Sequence, residues 1–214
     1  MIHPTQNNRP LSPRRQRERE QRRGEILQAA EAVFAARGFH EASIESIAEA
    51  AGFGTGTIYL YFQDKEALYA AAFAAKITQM VAEIETRTQQ AGDPIAALEG
   101  AIRAQLEFHE KHRAFFEIFA HHRPAGPGPG SEEWTTVREC LTRHTALLCS
   151  VIEAGQKRKL LRKCDSGRLA VSLLGMLLHI TRDAMERRMP EPLSEQAAFV
   201  TDIFLHGAAA RKAA

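Results

Sequence analysis

The sequence predicts an all-α fold made of two helical units, and three observations support this prediction. Segments with apolar residues at helical spacing follow one another along the 214 residues. No segment shows the strict polar and apolar alternation that indicates a β-strand. Glycines, prolines and N-cap residues separate the segments at the spacing expected of helices. A chain of this length can form one or two domains, and we expect residues 22–68 and 69–214 to form separate units.

A basic, flexible arm is predicted for residues 1–21. Seven arginines and two glutamates give residues 1–23 a net charge of +5, whereas the whole chain carries only +2. Such an arm is typical of proteins that make additional contacts with DNA phosphates or with the minor groove. The alternative is a disordered tail that only keeps the protein soluble.

The first helix is predicted over about residues 22–37, ending at Gly38. Two shorter helices around a glycine-bearing turn follow in residues 43–62. Ser43 is a suitable N-cap for the second helix, and Gly52 can adopt the left-handed conformation that ends it. The apolar positions of these helices repeat at helical spacing: Ile26, Ala29, Ala30, Val33 and Phe34, then Ile44, Ile47, Ala48 and Ala51, then Ile58 and Phe62.

The third helix carries hydroxyl and phenol groups on the side that does not pack. These side chains belong to Thr55, Thr57, Tyr59 and Tyr61. An ordinary solvated helix face usually carries lysine, glutamate and arginine instead. Two helices around a tight turn, with such a surface on the second, favour a helix that lies in the major groove of DNA.

Lys65 stands in the first turn of the next helix, directly after Asp64 as its N-cap. A cation at this end opposes the helix dipole. The position is favourable if a DNA phosphate lies in front of the helix, bound by the ammonium and by free backbone N–H groups. The alternative is an exposed lysine tolerated at a frayed helix start.

Four blocks in this order resemble the TetR family of bacterial transcriptional regulators. They are RRGEILQAAEAVFAARGF (22–39), IAEAAG (47–52), TGTIYLYF (55–62) and KEAL (65–68), and DIFLHG (202–207) is similar to the last helix of that family. One departure is Gly54, which stands where a serine is common, so the side-chain cap of the third helix is missing.

The resemblance implies a helix-turn-helix DNA-binding domain followed by a larger helical domain for ligand binding and dimerisation. It implies base or phosphate contacts by residues 55–61 and close backbone approach of DNA at Gly56. The predicted DNA-binding residues are Ser43, Thr55, Gly56, Thr57, Tyr59, Tyr61, Lys65, Arg22 and Arg23. In this family a ligand typically favours a conformation whose reading helices no longer fit the operator.

The larger unit is predicted to begin with a long helix over about residues 65–88 that is shared with the DNA-binding unit. Further helices are predicted over about 94–112, around Phe115 and Phe116, and over 131–157, 165–188 and 194–209. Residues 124–130 (PAGPGPG) must form a loop because they cannot be helical.

The last two helices are predicted to form a homodimer seam. The penultimate helix is apolar around much of its circumference, more than one protomer can cover. Two helices from each subunit would make a four-helix seam and present two reading helices to a palindromic double-stranded operator with half-sites about 34–36 Å apart, or a multiple of it. The predicted interface residues are Leu173, Leu177, Val200, Ile203, Phe204 and Gly207.

A small, largely apolar effector of unidentified structure is expected inside the larger unit. The alternative is that the same side chains form an ordinary core. The candidate lining residues are Phe108, His112, Phe115, Phe119, Trp134, His144, Leu148, Met176 and His179.

Other kinds of function find little support in the sequence. Cys140 and His144 lie at i and i+4, but no orienting group or oxyanion hole accompanies them, so we expect no enzyme. No cofactor or metal site is expected, because the histidines lack the ligand spacing of zinc sites. No apolar run could span a membrane. An odd number of cysteines and no secretory signal indicate the cytoplasm.

The sequence therefore predicts a ligand-released repressor that binds DNA as a dimer. The alternative is a DNA-bound regulator whose helical domain binds a protein partner and no small molecule. An apolar cavity with one or two polar points favours the first function. A filled interior with a large exposed apolar patch favours the second.

Overall fold

The computed structural model describes residues 12–121, 132–187 and 192–208, and for residues 119–121 and 207–208 it describes the backbone alone. The prediction of an all-α fold is confirmed, because these residues contain nine α-helices and no strand. The helices are α1 Pro13–Glu41, α2 Ile44–Ala51, α3 Thr55–Tyr59, α4 Lys65–Gln89, α5 Pro94–Lys111, α6 Arg113–His121, α7 Glu132–Lys157, α8 Ser166–Glu186 and α9 Gln196–Ala208. The predicted loop 124–130 lies outside the described residues.

Helix α1 begins nine residues earlier than predicted, so residues 13–21 are helical and not a flexible arm. Pro13 occupies the first position of the helix, where proline is favoured, and Ser12 caps it by accepting a hydrogen bond from the N–H of Arg15 at 3.5 Å. An ion pair between Arg14 and Glu18 at 2.9 Å supports the exposed first turns. Residues 13–21 thus continue α1 toward the N-terminus as a helix.

Helices α1, α2 and α3 form a small core with the start of α4. Ile26, Phe34 and Ile47 are fully buried in it. Gly38 interrupts α1 with φ 77° and ψ 172°, a conformation open to glycine alone. The chain therefore turns and buries Phe39, whose ring lies 5.9 Å from that of Phe34.

Helix α4 contacts the N-terminal helices near its start and the later helices further along. Near its start, the buried ring of Tyr69 contacts Phe34 and Phe39 edge-on, at centroid distances of 5.0 and 5.3 Å. The same ring lies 5.8 Å from Phe115 of α6. Further along, α4 packs against α5 and α7. One continuous helix therefore joins the core of the DNA-binding unit to that of the larger unit.

The larger unit encloses its core between α4, α5 and α7 on one side and α8 and α9 on the other. Asp93 caps α5 by accepting from the N–H groups of Ile95 and Ala96 at 2.8 and 3.1 Å. Asp165 caps α8 in the same way, accepting from the N–H of Arg168 at 2.8 Å. Among the described helices, none combines the length and the apolar character needed to span a bilayer.

Candidate functional site

Helix α2 begins at the N-cap and ends at the glycine that its sequence predicts. The Ser43 and Ser46 side chains each accept a hydrogen bond from the backbone N–H of the other, at 3.2 Å, which forms a reciprocal cap on α2. Gly52 ends α2 in the left-handed conformation at φ 71°. The Ser43 hydroxyl thus contributes to the start of α2, close to the surface where DNA contacts are predicted.

Helix α3 is anchored by one side chain and presents several others to solvent. Ile58 is fully buried beneath it, whereas Thr55 and Gly56 are exposed and Thr57 is half-buried. Tyr59 is 56% exposed. Gly54 precedes the helix without a side-chain cap, as its sequence predicts. The exposed side of α3 is therefore open to a macromolecular partner.

Leu60 is a candidate contact residue that sequence reasoning missed. It follows Tyr59 directly and is 76% exposed, the highest value among the large apolar side chains that the structure describes as exposed. Sequence reasoning assigned only Ile58 and Phe62 of this segment to the core and gave Leu60 no role. The signal that could have indicated a contact role was the position of Leu60 between Tyr59 and Tyr61 in the TGTIYLYF block.

Tyr61 does not share the exposed side with Tyr59. It is half-buried, and its ring lies 5.9 Å from the guanidinium of Arg19. Arg23 lies 5.3 Å from the ring of Phe62, and Arg22 is exposed. The structure thus places Tyr61 beside the basic segment of α1, at a cleft of about 930 Å³ bounded by α1, α4 and α7.

In the structure Lys65 is bound within the protein, and its contact with a DNA phosphate stays a prediction. Its Nζ donates to the carbonyl oxygens of Phe39, His40 and Ala42 at 2.9, 3.3 and 3.0 Å. An ammonium group has three protons, and all three are used by these carbonyls. The cation therefore satisfies the C-terminal end of α1, where a positive charge is favourable.

Substituting Lys65 with methionine is expected to lower the free energy of unfolding by about 2 kcal/mol, because the carbonyls of Phe39, His40 and Ala42 lose charge-assisted hydrogen bonds. Chemical denaturation of both proteins measures this change. Lys157→Met, at an exposed position on α7, is the control. Unchanged stability together with a weaker salt dependence of DNA binding would support the phosphate role instead.

The structure describes the side chains of eight of the nine predicted ligand residues, and most of them are buried or half-buried. Phe108, Phe115, His144 and Leu148 are buried, and His112, Trp134 and Met176 are half-buried. The side chain of Phe119 lies outside the described residues. His179 is exposed on α8 and does not line the interior, which corrects its assignment.

Several buried polar atoms of the interior have no hydrogen-bond partner among the described residues. They are Tyr69 OH, Gln105 Oε1, His112 Nε2, His144 Nε2 and Thr181 Oγ1. An unpaired buried polar group costs about 1–3 kcal/mol, so each has a strong tendency to acquire a partner. Sequence reasoning missed the tyrosine, the glutamine and the threonine, because single polar residues on apolar helices give no periodic signal.

Three titratable side chains of the interior, His144, His109 and Tyr69, are held in their neutral forms by burial. Burial, with a smaller effect of His109, lowers the pKa of His144 to about 4 against an opposing effect of Glu85. Burial likewise lowers the pKa of His109 and raises the pKa of Tyr69. The interior of the larger unit therefore combines apolar walls with neutral hydrogen-bonding groups.

Most of the predicted dimer residues are buried within the protomer and are not available to a second subunit. Leu173 and Leu177 of α8 and Val200 and Phe204 of α9 are buried within the protomer. Ile203 is exposed, as a contact with a second subunit requires, while the burial of Gly207 is not described. The exposed apolar side chains of the two helices, 48–64% exposed, are Val171, Leu178, Phe199 and Ile203.

Cys140 and His144 do not form the thiol–imidazole pair weighed from the sequence. The Cys140 sulfur lies 3.4 Å from the Thr78 hydroxyl on α4, and the thiol is buried. In the described part of the chain, no three His, Cys, Asp or Glu side chains are grouped so that they could hold a metal ion.

Comparison with known proteins assigns the DNA-binding unit. Residues 26–72 match the model of the tetR family of bacterial regulatory proteins. The transcriptional activator FasR of Mycolicibacterium smegmatis is 32% identical over 103 residues, 46% of this chain and 47% of that protein. The transcriptional repressor KstR2 of Mycobacterium tuberculosis is 31% identical over 98 residues, 46% of this chain and 49% of that protein. The match thus spans about half the length of these curated relatives.

The fold of the whole chain is also found among solved structures. The regulator FadR of Bacillus subtilis, solved in complex with stearoyl-CoA, aligns with a TM-score of 0.71 at 21% identity, covering 86% of this chain and 98% of that one. At this identity the likeness establishes the fold alone. The match over residues 26–72, together with the geometry of α2 and α3, places this segment in the tetR family of bacterial regulatory proteins.

Proposed function

We propose that the protein is a one-component transcriptional repressor that binds a palindromic operator as a homodimer and is released by a small, largely apolar ligand. The observation that carries the proposal is the exposed side of α3, where Tyr59 and Leu60 project from a helix anchored on the buried Ile58. Such a protein acts in the cytoplasm, where the chromosome lies.

The surface around α3 offers two kinds of contact with DNA. Thr55, Thr57 and Tyr59 supply hydroxyl groups for base edges and phosphates, and the methyl groups of Leu60 suit the methyl group of thymine. The exposed basic turns of α1 lie beside the end of α3, close enough for Arg19 to contact the Tyr61 ring. Their arginines favour phosphate contacts next to the groove that α3 enters.

Selection of bound sequences from a random DNA pool tests this function and defines the operator. Thr57→Ala is expected to reduce affinity for the selected operator by about tenfold and affinity for random DNA much less, because base contacts carry specificity. Tyr59→Ala is expected to weaken both. Fluorescence anisotropy gives the affinities, with Thr142→Ala on the exposed side of α7 as the control. Equal losses on both DNAs would contradict base reading by Thr57.

A ligand inside the larger unit is supported by its unpaired polar atoms. Gln105, His144 and Thr181 lie on three different helices of the core, and each is more than nine-tenths buried with an unpaired atom. A ligand with a long apolar part and a few hydrogen-bonding groups would satisfy them. Because one structural neighbour was solved with stearoyl-CoA, long acyl compounds are the first candidates.

The acyl proposal is tested with stearoyl-CoA itself. We expect it to raise the melting temperature of the protein and to release the selected operator in a concentration-dependent way. Gln105→Leu should weaken both effects, because the unpaired oxygen is lost. Stabilisation of the protein without release of the operator would contradict the role of this ligand as an effector.

A further inference from the structure

Three polar side chains meet where the DNA-binding unit contacts the larger unit. The Glu31 carboxylate of α1 lies 2.7 Å from Lys76 Nζ of α4 and 3.0 Å from His112 Nδ1, at the end of α5. Lys76 Nζ also lies 3.4 Å from the same imidazole nitrogen. Their side chains are only 12–21% exposed, so the contacts are poorly screened by solvent.

His112 connects this cluster with the start of α6. It ends α5, and its carbonyl oxygen accepts from the N–H groups of Phe115 and Phe116 at 3.0 and 3.2 Å, in the first turn of α6. Its ring lies 4.5 Å from the ring of Phe108. A change in the position of His112 therefore affects α6 on one side and α1 on the other.

The imidazole of His112 is neutral near pH 7. Burial, followed by the charge of Lys76, lowers its pKa, against an opposing effect of Glu31. A neutral imidazole has one N–H donor and one acceptor nitrogen. Nδ1 faces both a carboxylate and an ammonium, while the buried Nε2 has no partner among the described residues.

The two tautomers of His112 make different contacts. With the proton on Nδ1, the ring donates to Glu31 and so holds α1. With the proton on Nε2, Nδ1 can only accept, so it pairs with Lys76 of α4 and no longer holds the carboxylate of α1. The proton position thus selects which helix of the DNA-binding unit His112 holds.

We propose that His112 is the positioning residue that couples the larger unit to helix α1, with the Nδ1–H tautomer as the DNA-binding state and the Nε2–H tautomer as the released state. The inference rests on the proposed function, since it assumes a DNA-binding form. An effector with a hydrogen-bond acceptor at Nε2, such as a carbonyl or carboxylate oxygen, favours the released tautomer. A donor group at Nε2 leaves the contact with Glu31 in place.

Two substitutions separate the two nitrogens of the ring. The amide nitrogen of His112→Asn takes the place of Nδ1 and keeps a donor toward Glu31. The amide of His112→Gln reaches the place of Nε2 and gives up that contact. We expect the asparagine variant to bind the selected operator within about twofold of wild type and the glutamine variant to bind about tenfold more weakly, a typical coupling between sites.

The ring itself is observed by nitrogen-15 NMR of the histidine side chains in the wild-type protein. The operator complex is expected to show the Nδ1–H tautomer of His112. The wild-type measurement remains decisive if a variant fails to fold. Equal affinities of the two variants, or an Nε2–H tautomer in the operator complex, would overturn the inference. A wild-type chain that selects no DNA would instead overturn the proposed function.

Discussion

Replacing Leu178 and Phe199 together with aspartate is expected to yield a monomer that no longer retains operator DNA. Both side chains are more than half exposed in the protomer, so their replacement costs the protomer fold little. In a two-fold seam formed by α8 and α9 the same positions become buried, and an unpaired carboxylate there is strongly unfavourable.

The loss of DNA affinity follows from the loss of the second reading helix. Two linked half-site contacts bind at least about a hundredfold more tightly than one. Light scattering after gel filtration gives the oligomeric state, and anisotropy gives the affinity. Leu141→Asp, an exposed apolar position on α7, is the matched control. A double variant that remains dimeric would show that the subunits meet elsewhere.

Acidification from pH 6.5 to pH 4 is expected to remove about 3 kcal/mol of folding stability through His144 alone. Burial lowers the pKa of this group to about 4 in the folded protein, while the unfolded chain titrates near 6.5. Between these values the unfolded state binds a proton that the folded state does not. The free energy of unfolding therefore falls as pH falls through this window, and the contribution of His144 is constant above it.

Denaturation at several pH values, compared between wild type and His144→Leu, isolates this contribution from that of the carboxylates. The variant should show a flatter dependence on pH, because leucine has no proton to gain. His179→Leu, at an exposed position on α8, is the matched control. Parallel curves for wild type and His144→Leu would show that the imidazole gains its proton without cost in the folded protein.

The fold of the DNA-binding unit could be predicted because its signals are local. The apolar stripe from Ile44 to Ala51, the cap at Ser43 and the left-handed Gly52 lie within ten residues and act on one short helix. The exposure of Thr55 and Tyr59 followed by elimination once Ile58 and Phe62 were assigned to the core, whereas Leu60 and Tyr61 were not placed correctly in this way. The fold class of the whole chain followed from periodicity in the same way.

The misplaced residues depend on contacts that sequence spacing does not reveal. Lys65 meets carbonyls 23 to 26 positions earlier in the chain, and these become neighbours only after Gly38 turns the chain. Helix α8 is apolar on both of its broad sides, so periodicity could not decide whether Leu177 or Leu178 faces the protomer core. The early start of α1 had a local signal in Ser12 and Pro13, but its turns carry no apolar face.

The length of α4 has a mechanical consequence. Its 25 residues form a rod of about 37 Å, at about 1.5 Å per residue. A tilt of about 5° at the end within the larger unit displaces the other end by about 3 Å, close to the roughly 3.4 Å rise of one base pair. In the proposed dimer, mirrored displacements of the two subunits would change the gap between the recognition elements by nearly two base-pair steps. On the proposed function, small rearrangements around an effector would then be sufficient to shift both subunits out of phase with the grooves of a straight duplex.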